Sequence, residues 1–403
     1  MDKVNCDKTP IYFGVLLIVG VIYMGIKKIV LAPDSFKGSI SALEVCENFE
    51  KGIRKVFDNA EIVKVPMADG GEGTVQSLVD ATGGKLINLK VKDPLMRSVD
   101  AFYGILGDDN TAVIEMAAAS GITLLSKEER NPMKTTTYGT GEIIVHALDM
   151  GCRNFIIGIG GSATNDGGAG MLNALGVKLL DENGDEIGFG GGSLNKLQTI
   201  DLSKIDSRIK LCNIVAACDV DNPLCGERGA STIFGPQKGA DGNMIITLDK
   251  NLYHYAEIVE KYLGISIVDY PGAGAAGGLG GGLLAFLNAK LRSGINIVIE
   301  TTALEDKIKD ADLVITGEGM IDYQTQYGKT PYGVAKLAKK YNIPVIAIAG
   351  GIGIDAEELY SKGFDSIFSI VDKPMLLEEA MQNSDLLLQK TAERIMRIIK
   401  INI

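Results

Sequence analysis

The 403-residue chain has no tryptophan, few aromatics and only two histidines, His146 and His254. With so few imidazoles, a Ser-His-Asp triad or a His-rich metal centre is a poor reading, and any proton acceptor is expected to be a carboxylate. His146 lies in a helical pattern from Glu142 to Met150 and His254 in a Tyr-flanked segment, so both are read as structural. The six cysteines, at 6, 46, 152, 212, 218 and 225, form no C-x-x-C pair. Scattered thiols in a long chain point to a reduced, cytoplasmic protein without a zinc site. Positive charge is also short. A formal net charge of −11 argues against nucleic acid as the main partner and leaves any anionic substrate to local Lys, Arg and metal.

Long apolar runs are missing too. The uncharged stretch Ile11 to Ile26 would span about 24 Å as a helix, short of the roughly 30 Å hydrocarbon core. Tyr23-Met24-Gly25-Ile26 supplies no convincing cleavage site for a signal peptide. The expectation is that residues 1–26 are an apolar N-terminal extension, with Met24 as the functional start, rather than a membrane anchor.

What the chain has in plenty is glycine, 50 residues, placed at strand-to-helix turns without a repeat. Its centre is 154–170, Asn-Phe-Ile-Ile-Gly-Ile-Gly-Gly-Ser-Ala-Thr-Asn-Asp-Gly-Gly-Ala-Gly. An apolar strand opens into a glycine turn carrying Ser162, Thr164, Asn165 and Asp166, followed by a helical pattern. Such a turn lets backbone N–H groups approach a phosphate. Holding phosphate does not require a carboxylate, so Asp166 suggests chemistry or magnesium.

Strand and helix patterns alternate from Lys27 to about 75 and again from about 290 to 403, whereas 85–118 reads as shorter strands joined by Asp-Pro and Gly-Asp-Asp turns. This predicts an α/β protein in which residues 27–75 plus 290–403 form one domain and 76–289 an inserted second α/β domain. A strand is expected at Ile295 to Ile299, and another at Asp312 to Thr316 opening into Gly317-Glu318-Gly319. Asp34-Ser35-Phe36-Lys37 and Asp69-Gly70-Gly71 each follow a strand, where open parallel sheets bind ligands.

Two nucleotide motifs compete for these residues. Gly328-Lys329-Thr330 resembles a P-loop end, but position 323 is Tyr where that motif needs Gly. Gly158-x-Gly160-x-x-Ala163 after a strand fits a dinucleotide fingerprint, with Asp181 as its ribose-binding acid. An NAD-dependent oxidoreductase of a small hydroxy acid is therefore an alternative, as is a non-catalytic small-acid binding protein. Thr164-Asn165-Asp166 is too polar for the close helix packing that the fingerprint needs.

Several motifs together resemble the bacterial glycerate kinase family of the glucarate and glyoxylate pathway type. They are Ala32-Pro33-Asp34-Ser35-Phe36-Lys37-Gly38-Ser39, Ala68-Asp69-Gly70-Gly71-Glu72-Gly73-Thr74, Gly160 to Gly168, Cys218-Asp219-Val220-Asp221-Asn222-Pro223-Leu224, and Gly317-Glu318-Gly319 with Asp322-x-Gln324-Thr325. The resemblance runs from about residue 27 to the C-terminus. It implies a Rossmann/flavodoxin-like parallel-sheet domain built from both chain ends, and ATP-dependent phosphorylation of D-glycerate to 2-phosphoglycerate with Mg²⁺. Its partners would be small molecules, with a homodimer as the assembly allowed for.

On this reading Gly160, Gly161, Ser162, Thr164 and Asn165 cradle the nucleotide phosphates, and Asp69 or Asp219 holds the metal. Asp166 is the favoured base for the glycerate hydroxyl, with Asp219 next. Lys37 neutralises a carboxylate or the transferring phosphoryl group, assisted by Ser35. Asp34, Gly70, Gly71 and Glu318 line the site, and Asp322, Gln324, Thr325 and Lys329 close it.

Overall fold

The computed structural model describes residues 26–401, so the readings made of residues 1–25 lie outside the described residues. Among the described residues no helix is long and apolar enough to cross a membrane. The strands are β1 (Lys28–Leu31), β2 (Glu61–Lys64), β3 (Lys85–Lys92), β4 (Ser98–Ile105), β5 (Thr111–Glu115), β6 (Asn154–Gly158), β7 (Lys178–Leu180), β8 (Thr199–Asp201), β9 (Asn213–Ala217), β10 (Lys290–Arg292), β11 (Leu313–Ile321), β12 (Val345–Ile352) and β13 (Ser366–Ser369).

Both ends of the chain build a five-stranded sheet in the order β13-β12-β11-β1-β2. All its pairings are parallel, and Ile29 opposite Leu313 sets the register where the two ends meet. Ile29, Val30 and Leu31 are wholly buried, as expected of a parallel strand covered on both faces. One cover is the helix Ala42–Arg54, which starts with a capping box: Ser41 accepts from the Glu44 backbone, and the Glu44 carboxylate accepts from Ser41. The terminal helix Ser384–Ile401 packs beside it, with Leu388 and Phe49 in one core.

The middle of the chain forms a six-stranded sheet, β10-β9-β6-β5-β4-β3. Pairing is parallel from β10 to β5 and antiparallel from β5 to β3. A separate hairpin pairs β7 with β8. Val30 and Val314 of the first sheet share a hydrophobic core with Val113, Ile156 and Ala217 of the second. The two sheets therefore meet through packed apolar side chains.

One expected strand is a helix. Ile295 to Ile299 lies inside Gly294–Thr301, with Ile295, Ile297 and Val298 buried. A five-residue apolar run fits a buried strand and a buried helix equally by periodicity. The helix is tied into the fold at its start, where the Gly294 N–H donates to Asp219 Oδ1. Gly317-Glu318-Gly319 is likewise not a turn but the continuation of β11, in register with β12 as far as Ile321 opposite Ile352.

Candidate active site

The cleft lies where parallel strands end. β1 leads to Asp34, β2 to Asp69, β6 to Gly160–Ser162 and β9 to Asp219, while Glu318 sits in the far half of β11. Carboxyl ends of parallel strands are where α/β sheets bind ligands, because the loops there are free to carry chemistry while the strands hold them rigid. A cavity of about 280 Å³ is lined by Asp69, Gly70 and Gly71, by Gly160, Gly161 and Ser162, and by Asp219 and Lys238.

Asp34 is buried. Its Oδ1 accepts from the Ser35 N–H at 2.6 Å and its Oδ2 from the Thr330 hydroxyl at 2.8 Å. Burial, then the nearby Asp69 charge, pushes its carboxyl up to about 6, while Thr330, Ser35 and Lys37 pull the other way. Glu318 accepts from Thr325 Oγ1 at 2.8 Å and pairs with Lys329 Nζ at 3.4 Å. Burial raises it to about 7, with Lys329 and Thr325 opposing and Asp34 adding to the rise.

Asp69 and Asp219 are held against each other through Gly294. The Gly294 N–H donates to Asp219 Oδ1 at 3.1 Å, and a β-carbon at Gly294 would lie 2.0 Å from the Asp69 carbonyl oxygen. Only glycine admits that approach. Burial raises the Asp219 carboxyl, Ser293 and Gly294 lower it, and the Asp69 charge raises it again. Gly328 reaches the same place, with its would-be β-carbon 4.0 Å from Asp219 Oδ1. Segments around 34, 69, 160, 219 and 318–330 thus converge on one site.

Asp166 does not line this cavity. It is fully buried, and its carboxylate accepts from the Thr137 N–H and hydroxyl, both at 2.9 Å, from the Gly168 and Gly170 N–H groups, both at 3.1 Å, and more distantly from Thr136 Oγ1 at 3.4 Å. Burial raises its pKa against those hydrogen bonds. Enclosed in this way, the carboxylate ties the glycine turn to the segment at Thr137. Thr164 and Asn165 are buried as well: the Thr164 carbonyl accepts from Lys238 Nζ at 2.6 Å, and Asn165 Nδ2 donates to Ser231 Oγ at 3.0 Å. Ser35 and Lys37 line a neighbouring cavity with Glu72 and Gly73; Lys37 and Gln324 are exposed and Ser35 half-buried, while Asp322 caps its own turn by accepting from the Gln324 N–H at 2.8 Å.

The sequence reading missed Lys238 and Gly294, and gave Thr330 no part beyond the rejected P-loop end. Lys238 sits in Gly235-Pro236-Gln237-Lys238-Gly239, whose only local signal is a turn, and burial pushes its ammonium pKa down while Asp166 opposes that shift. The dinucleotide fingerprint finds no support in the geometry. Its helix starts only at Ala169, and Asp181 is in the β7–β8 hairpin connection, outside the six-stranded sheet, accepting from Asn183 and Asp185 N–H groups. Both histidines have structural partners, His146 Nδ1 with the Tyr103 hydroxyl and His254 Nε2 with the Leu197 carbonyl.

Among the described residues no group of three or more His, Cys, Asp or Glu forms a metal cage. The oxygen donors Asp69 and Asp219 nevertheless suit Mg²⁺, which commonly takes one or two carboxylates and completes its shell with phosphate oxygens and water.

The glycerate kinase family profile matches residues 29–400. The glycerate kinase of Halalkalibacterium halodurans is 56% identical over 367 residues, covering 91% of this chain and 97% of that protein. The glycerate 2-kinase of Escherichia coli K12 is 56% identical over 357 residues, covering 89% and 94%. A crystal structure from Salmonella typhimurium LT2, named as a glycerate kinase 2, superposes with a TM-score of 0.87 at 50% identity, covering 94% of this chain and 99% of that one. The chain belongs to the glycerate kinase family.

Proposed function

We propose that this protein transfers the γ-phosphoryl group of ATP to the 2-hydroxyl of D-glycerate in the cleft at the strand ends. The observation that carries the reading is the convergence of Asp34, Asp69, Asp219 and Glu318 with the Gly160–Ser162 turn, in a chain whose relatives are named glycerate kinase and glycerate 2-kinase. Phosphoryl transfer needs alignment, charge neutralisation and a base beside the attacking hydroxyl.

Backbone N–H groups of Gly160, Gly161 and Ser162 take the nucleotide phosphates. Asp219 accepts the hydroxyl proton, since one of its oxygens is held by Gly294 and partial desolvation beside Asp69 makes its carboxylate a stronger base than a free one. Asp69 is the carboxylate assigned to Mg²⁺, which when bound supplies the positive charge that phosphates need beside so many carboxylates. Lys37 and Lys329 answer the glycerate carboxylate. Asp166 serves as a positioning residue that fixes the turn.

A direct assay tests this. The protein is supplied with ATP, Mg²⁺, D-glycerate and enolase, and phosphoenolpyruvate is followed by its ultraviolet absorbance. Immediate enolase-dependent turnover is expected. Turnover that requires added phosphoglycerate mutase would move the reaction to the 3-hydroxyl, and no ADP from D-glycerate would overturn the kinase reading.

A further inference from the structure

The lining of the cleft is of two chemical kinds. One part is polar and glycine-rich. The other includes the apolar side chains of Phe234, Val220, Ala275 and Ala276, with Gln237 close to Phe234 in the chain. A three-carbon hydroxy acid has no hydrophobic surface to place against these side chains, whereas a purine base has two flat apolar faces and a hydrogen-bonding rim. We propose that Phe234 and Ala275–Ala276 form the slot for the purine base of the nucleotide, with the Gln237 carboxamide reading its edge. The inference rests on the kinase reading above and assigns the nucleotide to the side of the cleft built on the six-stranded sheet.

Three observations support it. Phe234 is half-buried, lines the cleft and, among the described residues, makes no ring–ring contact. The Gln237 side chain is exposed at the cleft and has no hydrogen-bond partner among the described residues. Ala276 holds a left-handed backbone, φ 54° and ψ 36°, which L-residues rarely adopt outside sites that over-determine them.

Both walls of the slot are anchored to the phosphate turn, which fixes the distance from base to phosphate. On the Phe234 side, Ser231 accepts from Asn165 and Lys238 donates to the Thr164 carbonyl. On the Ala276 side, the Gly277 carbonyl accepts from the Gly167 N–H at 3.0 Å. This gives Thr164 and Asn165 a part although neither lines the cavity: they set the spacing of a two-part nucleotide site. Holding base and phosphate at one separation lets remote binding energy position the reacting group.

The absence of tryptophan supplies a clean probe, since Phe234→Trp installs a single reporter. Its emission is expected to change saturably with ADP and not with inorganic tripolyphosphate or D-glycerate. An equal response to tripolyphosphate or D-glycerate, or no response to ADP in a variant that still consumes ATP, overturns the inference. Should that variant fail to fold, Gln237→Ala at an exposed position carries the test. The ratio of kcat/KM for ATP over GTP is expected to move about fivefold or more while KM for D-glycerate stays within about twofold. An unchanged ratio overturns the inference. Phe234→Ala should raise KM for ATP about tenfold or more, the usual cost of a lost base–aromatic stack. Wild-type protein that makes no ADP from D-glycerate defeats the kinase reading itself, which separates that failure from a failure of the slot.

Discussion

The Thr330 hydroxyl donates to Asp34 Oδ2 at 2.8 Å and joins residues 296 positions apart. Thr330 opens the helix Thr330–Lys340 and Asp34 follows β1, so this bond ties the late part of the chain to its first site carboxylate. Thr330→Val keeps the shape and removes the donor. It is expected to cost about 1–3 kcal/mol at neutral pH, read from urea midpoints, because a buried carboxylate loses a partner. A change within error would mean that Asp34 is satisfied without Thr330.

Asp34 and Glu318 give stability a pH dependence of defined sign. Both carboxyls are raised, to about 6 and about 7, from ordinary values of 3.8 and 4.5, chiefly by burial. The folded state therefore binds their protons more tightly than the unfolded state. Their contribution to stability is fullest in acid and is lost as pH climbs from the ordinary values through about 6 and about 7. Glu318→Gln should flatten the upper part of that fall, measured as urea midpoints between about pH 5 and 8. An unaltered profile would show that Glu318 titrates normally.

Asp166 and Asp219 should separate by the kind of damage their substitution does. Asp166→Asn weakens the acceptor for Thr137, Gly168 and Gly170 at a fully buried position, so a loss of about 1–3 kcal/mol in stability is expected. Asp219→Asn should leave stability nearly intact and lower kcat by about 10²–10⁴, the usual range for a lost general base. Thermal melts and steady-state kinetics on both variants test this. A stable, inactive Asp166→Asn would restore Asp166 as the base.

Gly294 is where a single methyl group should be felt furthest. Its β-carbon would meet the Asp69 carbonyl oxygen at 2.0 Å and Gly70 Cα at 2.7 Å, both backbone atoms. Gly294→Ala must displace the Asp69 loop, and a shift of about 1 Å in a reacting group costs on the order of 10²-fold in rate. A fall in kcat together with a lower melting temperature is expected. A fully active Gly294→Ala would mean that the Asp69 loop need not hold this position.

Much was legible in the sequence because it is local. Strands ending in Asp34 and Asp69, and another ending in Asp219, carry polar loops where parallel sheets bind ligands, and the glycines of 158–170 mark a turn that approaches phosphate. The meeting of like textures at the two ends of the chain is realised in the pairing of β1 with β11. Tertiary structure alone decided the rest. Ile295–Ile299 lies in a helix whose first N–H meets Asp219 across the fold, a contact that no window of sequence contains. Asp166, placed in a polar turn that reads as chemistry, is buried and bonded to Thr137 from a different segment, which no window of sequence shows. Lys238 and Phe234 carry no motif, and their place at the cleft follows only from how 230–238 packs on the glycine turn. Residue type and spacing determine which groups can do chemistry; burial and long-range hydrogen bonds determine which of them reach the cleft.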